Sequence, residues 1–194
     1  MKTLLKHTLI IQLFLIVFLF QTSSAQNFEL VPEESTLIIN GTSNLHDWTI
    51  TSSSCTGTIS FNDINKCSIN SLKFEVPPIS LKSGKKGMDK NTYKALKTDE
   101  FKNIKFLLTE VTTLNNSNPN NYSIEVEGVL SIMENNKKIL LKNNILLNNN
   151  NVCIEGSKKI KMTDFGVEPP KALFGTITTG DEITIDYKLI FKTI

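Results

Sequence analysis

The chain has 194 residues, with 21 basic and 19 acidic side chains and a formal charge of +2, and every basic residue other than histidine is a lysine. Removing the leader described below takes away Lys2 and Lys6 and leaves a neutral chain, which argues against nucleic acid or a strongly anionic macromolecule as partner. With no arginine, bidentate guanidinium recognition of phosphate or carboxylate is excluded, and three cysteines leave at least one unpaired within the monomer.

Residues Met1–Ala25 have the layout of a secretory signal. Lys2 and Lys6 supply the positive start, Leu9–Phe20 the apolar run, and Ser23-Ser24-Ala25 the small residues before Gln26, the expected first mature residue. The apolar run is shorter than the ~20 residues a membrane span needs. No second such run follows, and no cysteine stands at the cleavage site for lipid attachment. These features predict a periplasmic or secreted protein without stable membrane insertion, folded as one domain over residues 26–194.

Asn27–Pro32 reads as a short lead-in. Ser35–Asn40 is a predicted strand ended by Gly41, and His46–Ser54 a second, with His46, Trp48 and Ile50 on one face. Cys55–Phe61 continues extended, with a bulge or bend expected at Gly57. The turn Asn62–Lys66 leads into a strand over Cys67–Val76, forming a hairpin whose expected register sets Phe61 near Cys67 and Cys55 near Lys73. That register separates Cys55 from Cys67 by roughly 20 Å along the sheet. A disulfide needs Cα atoms within ~7 Å, so none is expected between them.

Pro77-Pro78 ends this strand. Met88–Leu96 is the one predicted helix, with Met88, Thr92, Ala95 and Leu96 on one face and Asp89 placed to complement the helix dipole. A lone helix among strands must pack on a sheet or stopper a barrel end. Strands resume at Ile104–Leu108 with Val111–Leu114, then Tyr122–Met133, Lys138–Leu147, Val152–Gly156 and Ile183–Ile194. Tyr122–Met133 alternates most cleanly, and the terminal strand, with Ile183, Ile185, Tyr187 and Leu189 inward, is expected to pair with Ser35–Asn40 and close the sheet. The fold class is therefore all-β, a roughly eight-stranded antiparallel barrel with one short helix. At that strand number an interior holds either side chains or one ligand.

Lys158–Gly180 fits neither strand nor polar loop. Met162, Phe165, Val167, Leu173 and Phe174 are apolar, while Gly166, Pro169, Pro170 and Gly175 interrupt any regular element. A rigid apolar connection of this kind is expected to cover one end of the barrel. The candidate ligand-lining residues are Ile39, Trp48, Phe74, Ile124, Val126, Leu130, Tyr187 and Leu189 on strands, Met88 and Tyr93 on the helix, and Phe165 and Phe174 in the cover. The competing expectation is that the same side chains fill a dry core and the barrel works through its outer surface.

Catalysis finds little support. His46 is the only histidine after the leader, its neighbour Asp47 would point to the opposite strand face, and no nucleophile elbow is present. A second histidine or close cysteine pair for a metal is also missing. Lys82, Lys85 and Lys86 read as a solvated loop rather than a head-group site. No cofactor is called for, and a homodimer stays open.

Four segments, Ser35–Trp48, Ile79–Phe106, Tyr122–Leu130 and Lys161–Gly175, together resemble the YceI-like domain family of lipocalin-like periplasmic barrels. Thr-Ser-Asn-Leu-His-Asp-Trp and Glu-Pro-Pro-Lys-Ala-Leu-Phe-Gly resemble a branch common in Bacteroidetes-type exported proteins. The resemblance implies a non-catalytic carrier holding an isoprenoid or other long-chain lipid, a quinone or pyrophosphate among the candidates, in an apolar tunnel. An arginine often precedes Asp-Phe-Gly in the family; here Lys161-Met162-Thr163 stand before Asp164-Phe165-Gly166.

Overall fold

The computed structural model describes residues 26–148 and 150–193; the expected signal at 1–25 lies outside them. Eight strands close into a ring: β1 (Gln26–Leu30), β4 (Thr56–Asp63), β5 (Ser68–Val76), β6 (Ile104–Asn118), β7 (Asn121–Ile132), β8 (Asn135–Asn148), β9 (Asn151–Lys161) and β11 (Ile177–Thr193). Each is antiparallel to its neighbours, and β1 bonds both β4 and β11 to complete the circle. A hairpin of β2 (Thr36–Ser43) and β3 (Trp48–Ser52) lies outside the ring, with β2 on β11. The two-residue β10 (Lys171–Ala172) folds back on the start of β11. The fold is thus the expected all-β lipocalin-like barrel with extra strands and, among the described residues, one α-helix, α1 (Lys86–Ala95).

The terminal strand pairs with β2 as expected, setting Thr184 opposite Asn40 and Tyr187 opposite Leu37. It does not close the ring there. Closure falls to β1, where Leu30 faces Phe191, so the expected lead-in at Asn27–Pro32 is mostly a barrel strand. A chain break explains the division. Pro32 opens a 3-10 turn (Pro32–Glu34), and its missing donor stops the ladder. Buried Ser35 repairs the gap: its hydroxyl donates to the Val31 carbonyl at 2.8 Å and accepts from the Ile190 N–H at 3.0 Å. One long strand, β11, thereby serves two short partners in succession.

Strand β7 alternates as its sequence does, buried from Tyr122 to Ile132 at every second residue. The two runs joined in β6 are separated by register shifts after Leu108 and Val111. The β4–β5 hairpin departs from the expected register, with Phe61 opposite Ile69 and Thr58 opposite Lys73, because irregularities follow Ser60 and Phe61 and Cys67 turns left-handed at φ 51°. The bulge therefore sits there and not at Gly57, which pairs regularly with Phe74. Cys55, Cys67 and Cys153 are free thiols, and burial pushes Cys67 up to about 11, so it stays protonated at neutral pH.

Two zones divide the barrel along its axis. In one, Phe28, Phe61, Ile59, Val126, Ile145, Val152 and Phe191 are all at most 1% exposed, and Phe28 and Phe61 meet edge to face with centroids 5.8 Å apart. Ile124 and Leu189 belong to this packed zone. The other zone is hollow.

Candidate functional site: the hollow half of the barrel

The hollow half is a cavity of about 680 Å³. Its walls follow the alternation of the strands: Leu37 and Ile39 on β2, Trp48 and Ile50 on β3, Phe74 and Val76 on β5, Leu130 and Ile132 on β7, Ile160 on β9, and Ile183 and Ile185 on β11. Along β11 the change from hollow to packed falls at Tyr187, between Ile185 in the wall and Leu189 in the core.

Tyr187 stands at this boundary in a polar pair just outside the cavity lining. Its hydroxyl donates to Asn143 Oδ1 on β8 at 2.5 Å, and burial pushes its pKa well above the usual tyrosine range. Gly156 on β9, paired with both residues, leaves the room they need, since a Cβ there would collide with the Tyr187 hydroxyl and the Asn143 carbonyl oxygen. Asn143→Leu strands the Tyr187 hydroxyl and should cost ~1–3 kcal/mol. Adding Tyr187→Phe should recover much of that, and urea unfolding of both variants measures the coupling.

One side of the hollow is closed by residues 77–103. Lys82 exchanges backbone hydrogen bonds of 2.8 and 2.9 Å with Thr51 on β3, and the Ser80 and Ser52 hydroxyls meet at 2.7 Å. The helix then crosses the opening with Met88, Thr92, Ala95 and Leu96, its expected apolar face, on the cavity. Asp89 Oδ1 accepts from the Ser83 hydroxyl at 2.6 Å and the Ser83 N–H at 2.7 Å, which holds its carboxyl below the ordinary range. Tyr93 faces away from the cavity: its hydroxyl donates to the Leu81 carbonyl at 2.9 Å and accepts from Lys82.

The cover behaves as two parts. Met162, Phe165 and Val167 are buried and line the cavity. Asp181 pins their turn, accepting from the Thr163 N–H at 2.9 Å and hydroxyl at 2.6 Å, which keeps its carboxyl below the usual carboxylate range. Asn135 donates to the Phe165 carbonyl at 2.8 Å. Pro170, Lys171 and Ala172 still border the cavity, but Phe174 points into solvent, fully exposed. Strand β11 begins at Ile177 rather than Ile183.

Of the residues singled out in the sequence, Ile39, Trp48, Phe74, Met88, Leu130 and Phe165 lie together around the cavity. Ile124, Val126 and Leu189 lie in the packed half, Tyr187 at the boundary, and Tyr93 and Phe174 outside. Trp48 sits where the backbone leaves space at Gly41, its indole N–H donating to the Thr42 carbonyl at 2.9 Å. Ile50, Val76 and Ile185 line the cavity without having been singled out, though each shares a strand face with a residue that was. His46 stands exposed at the rim, its Nδ1 2.7 Å from the Asp47 carbonyl. The charged lining residues among those described are Lys85, Lys90, Lys105 and Lys171, with no carboxylate.

The barrel has solved counterparts. Over 83% of this chain and 98% of theirs, it superposes on Burkholderia cenocepacia BcnA at a TM-score of 0.67 and 14% identity. A polyisoprenoid binding domain from Saccharophagus degradans implicated in plant cell wall breakdown matches 86% of this chain and 98% of its own at a TM-score of 0.68 and 11% identity. The Campylobacter jejuni YCEI protein matches 75% and 84% at a TM-score of 0.58 and 14% identity. At such identities the likeness shows a shared fold. No curated protein matches by sequence. The family defined by the YceI-like domain matches residues 28–191, nearly the whole described chain, and the protein belongs to that family.

Proposed function

We propose that this protein is an exported, non-catalytic carrier that holds one isoprenoid or similar long apolar lipid in the hollow half of its barrel. The observation that carries this reading is the cavity itself: about 680 Å³, walled by Leu, Ile, Val, Met, Phe and Trp, within the range of dedicated ligand sites. At roughly 30 Å³ per water-sized group the space takes on the order of 20 carbons, or about four five-carbon units. Each buried CH₂ contributes ~0.8 kcal/mol, so a chain of that length binds tightly even after ordering costs. Family membership and the fold shared with a polyisoprenoid binding domain support the same reading.

Export rests on the secretory layout of residues 1–25. The domain boundary at 26, the periplasmic or secreted location and the Bacteroidetes-type branch belong to this proposal. A filled barrel working through its outer surface accounts for the packed half only.

Native mass spectrometry of protein isolated without detergent tests the reading. A bound mass removed by organic extraction, with the apo protein then taking up added geranylgeraniol, is the expected result. Protein that carries no adduct and takes up neither geranylgeraniol nor oleyl alcohol would overturn it.

A further inference from the structure

Two large apolar side chains stand in water at the cavity rim. Phe174 has a relative exposure of 112% and Leu45 of 67%. They sit on different loops, one between β2 and β3 and the other between β10 and β11. Asn44 locks the loops together: its N–H donates to the Thr178 carbonyl at 3.1 Å, its side-chain amide donates to the Thr176 carbonyl at 2.9 Å, and its side-chain oxygen accepts from the Thr178 N–H at 3.0 Å. On each loop the residues flanking the exposed tip border the cavity, Ser43 and His46 about Leu45, Ala172 and Ile177 about Phe174.

The backbone at Phe174 adds a second observation. Its φ of 56° is left-handed, a region that a bulky residue with a Cβ rarely occupies, and it aims the ring outward instead of into the apolar hollow beside it. Within the folded chain this strain gains no packing. We infer that Leu45 and Phe174 form a membrane-docking tip, by which the cavity rim rests in the interface of a lipid bilayer while the ligand passes between bilayer and barrel. The inference rests on the lipid-carrier reading and adds the surface through which the lipid travels.

Three features favour a bilayer over a protein partner. The tip adjoins the opening of the apolar cavity, so docking lets a water-insoluble chain move from hydrocarbon to hydrocarbon. Phe and Leu on a rigid rim are the side chains that insert at the acyl boundary of an interfacial anchor. The exposed lysines bordering the cavity, Lys85, Lys90 and Lys171, complement anionic head groups, and Asp47 is the one carboxylate on the two loops.

The test uses the whole mature protein with Leu45→Ser, Phe174→Ser and the double variant. Three quantities are read: co-sedimentation with phosphatidylcholine vesicles with and without phosphatidylglycerol, the rate at which radiolabelled geranylgeraniol leaves those vesicles for the protein, and equilibrium affinity for geranylgeraniol added from ethanol. Both side chains are exposed, so thermal unfolding should match wild type. Each single variant should lower vesicle partition about tenfold and the pair on the order of a hundredfold, with slower transfer and unchanged equilibrium affinity; phosphatidylglycerol should strengthen partition. Wild-type partition and transfer in the double variant would overturn the docking tip, as would a wild-type protein that ignores both vesicle types. Equilibrium affinity lost in every variant and in wild type would instead overturn the carrier reading, and with it the transfer role.

Discussion

Ala95→Trp should abolish lipid binding while leaving the fold intact. Ala95 lies on the cavity face of α1, and the space before it is empty. An indole there occupies room that one or two five-carbon units would fill. Each unit contributes a few kcal/mol of burial, and 1.4 kcal/mol is tenfold in affinity, so affinity for geranylgeraniol should fall at least a hundredfold. The stability cost should stay on the order of 1 kcal/mol, since tryptophan is only slightly poorer than alanine as a helix former and the indole can extend into the hollow beyond the core residues that Ala95 packs against. Lys94→Trp, one residue earlier on the exposed face, is the control and should bind as wild type. A dry, filled barrel predicts the opposite pair of results: unchanged binding behaviour and an overpacking loss of ~1–3 kcal/mol. Isothermal titration and urea unfolding of the two variants separate these outcomes.

The second large effect lies in the packed half. Phe61→Ala should destabilise by about 3–5 kcal/mol, because Phe61 is wholly buried and loses both its transfer energy and its edge-to-face partner Phe28. Ile39→Ala, on the cavity wall, should cost clearly less, at the low end of the ~2–5 kcal/mol range for isoleucine truncation or below it. The reason is that Ile39 already faces empty space on one side and its removal opens little new void. Urea unfolding with the midpoint and slope both fitted gives the comparison. Equal costs at the two positions would mean that the hollow is not open in solution. Lipid added in excess should raise the stability of wild type and of Phe61→Ala alike, since linkage depends on the site and not on the core beneath it.

These two variants mark the limit of what alternation can tell. A period of two assigns each strand residue to the inside or the outside of the sheet, and on β7 and β11 that assignment was legible residue by residue. It carries no information on height along the barrel axis. Ile124, Val126 and Leu130 share a face of β7, yet the first two lie in the packed half and the third on the cavity. Height depends on which strands close the ring at each level. The packed half lies where β1 and β4 bring in Phe28, Ile59 and Phe61. The hollow lies where the outlying β2–β3 hairpin and residues 77–103 stand in for them and leave the centre unfilled.

The helix was legible for a different reason: a period near 3.6 in Met88, Thr92, Ala95 and Leu96 records which face is apolar, and that face is the one turned to the cavity. Tyr93 lay outside the period, and its hydroxyl went to the Leu81 carbonyl. The cover was half legible. Its apolar content was plain, but Met162, Phe165 and Val167 turn inward and Phe174 outward, and that split depends on the left-handed turn at Gly166, the anchor at Asp181 and the strained backbone at Phe174.

By itself, then, the order of residues determined a closed antiparallel barrel, its inward faces, the helix that crosses its end and an apolar segment over that end, because each of these follows from short-range periodicity and from residues that break it. Only the tertiary structure decided that half the interior is filled and half empty, that Tyr187 finds its buried partner in Asn143, and that Phe174 leaves the cover for the rim. Those outcomes depend on the register between strands far apart in the chain, such as Leu30 on Phe191 and Tyr187 on Gly156, and register is a property of pairs that no single stretch of sequence contains.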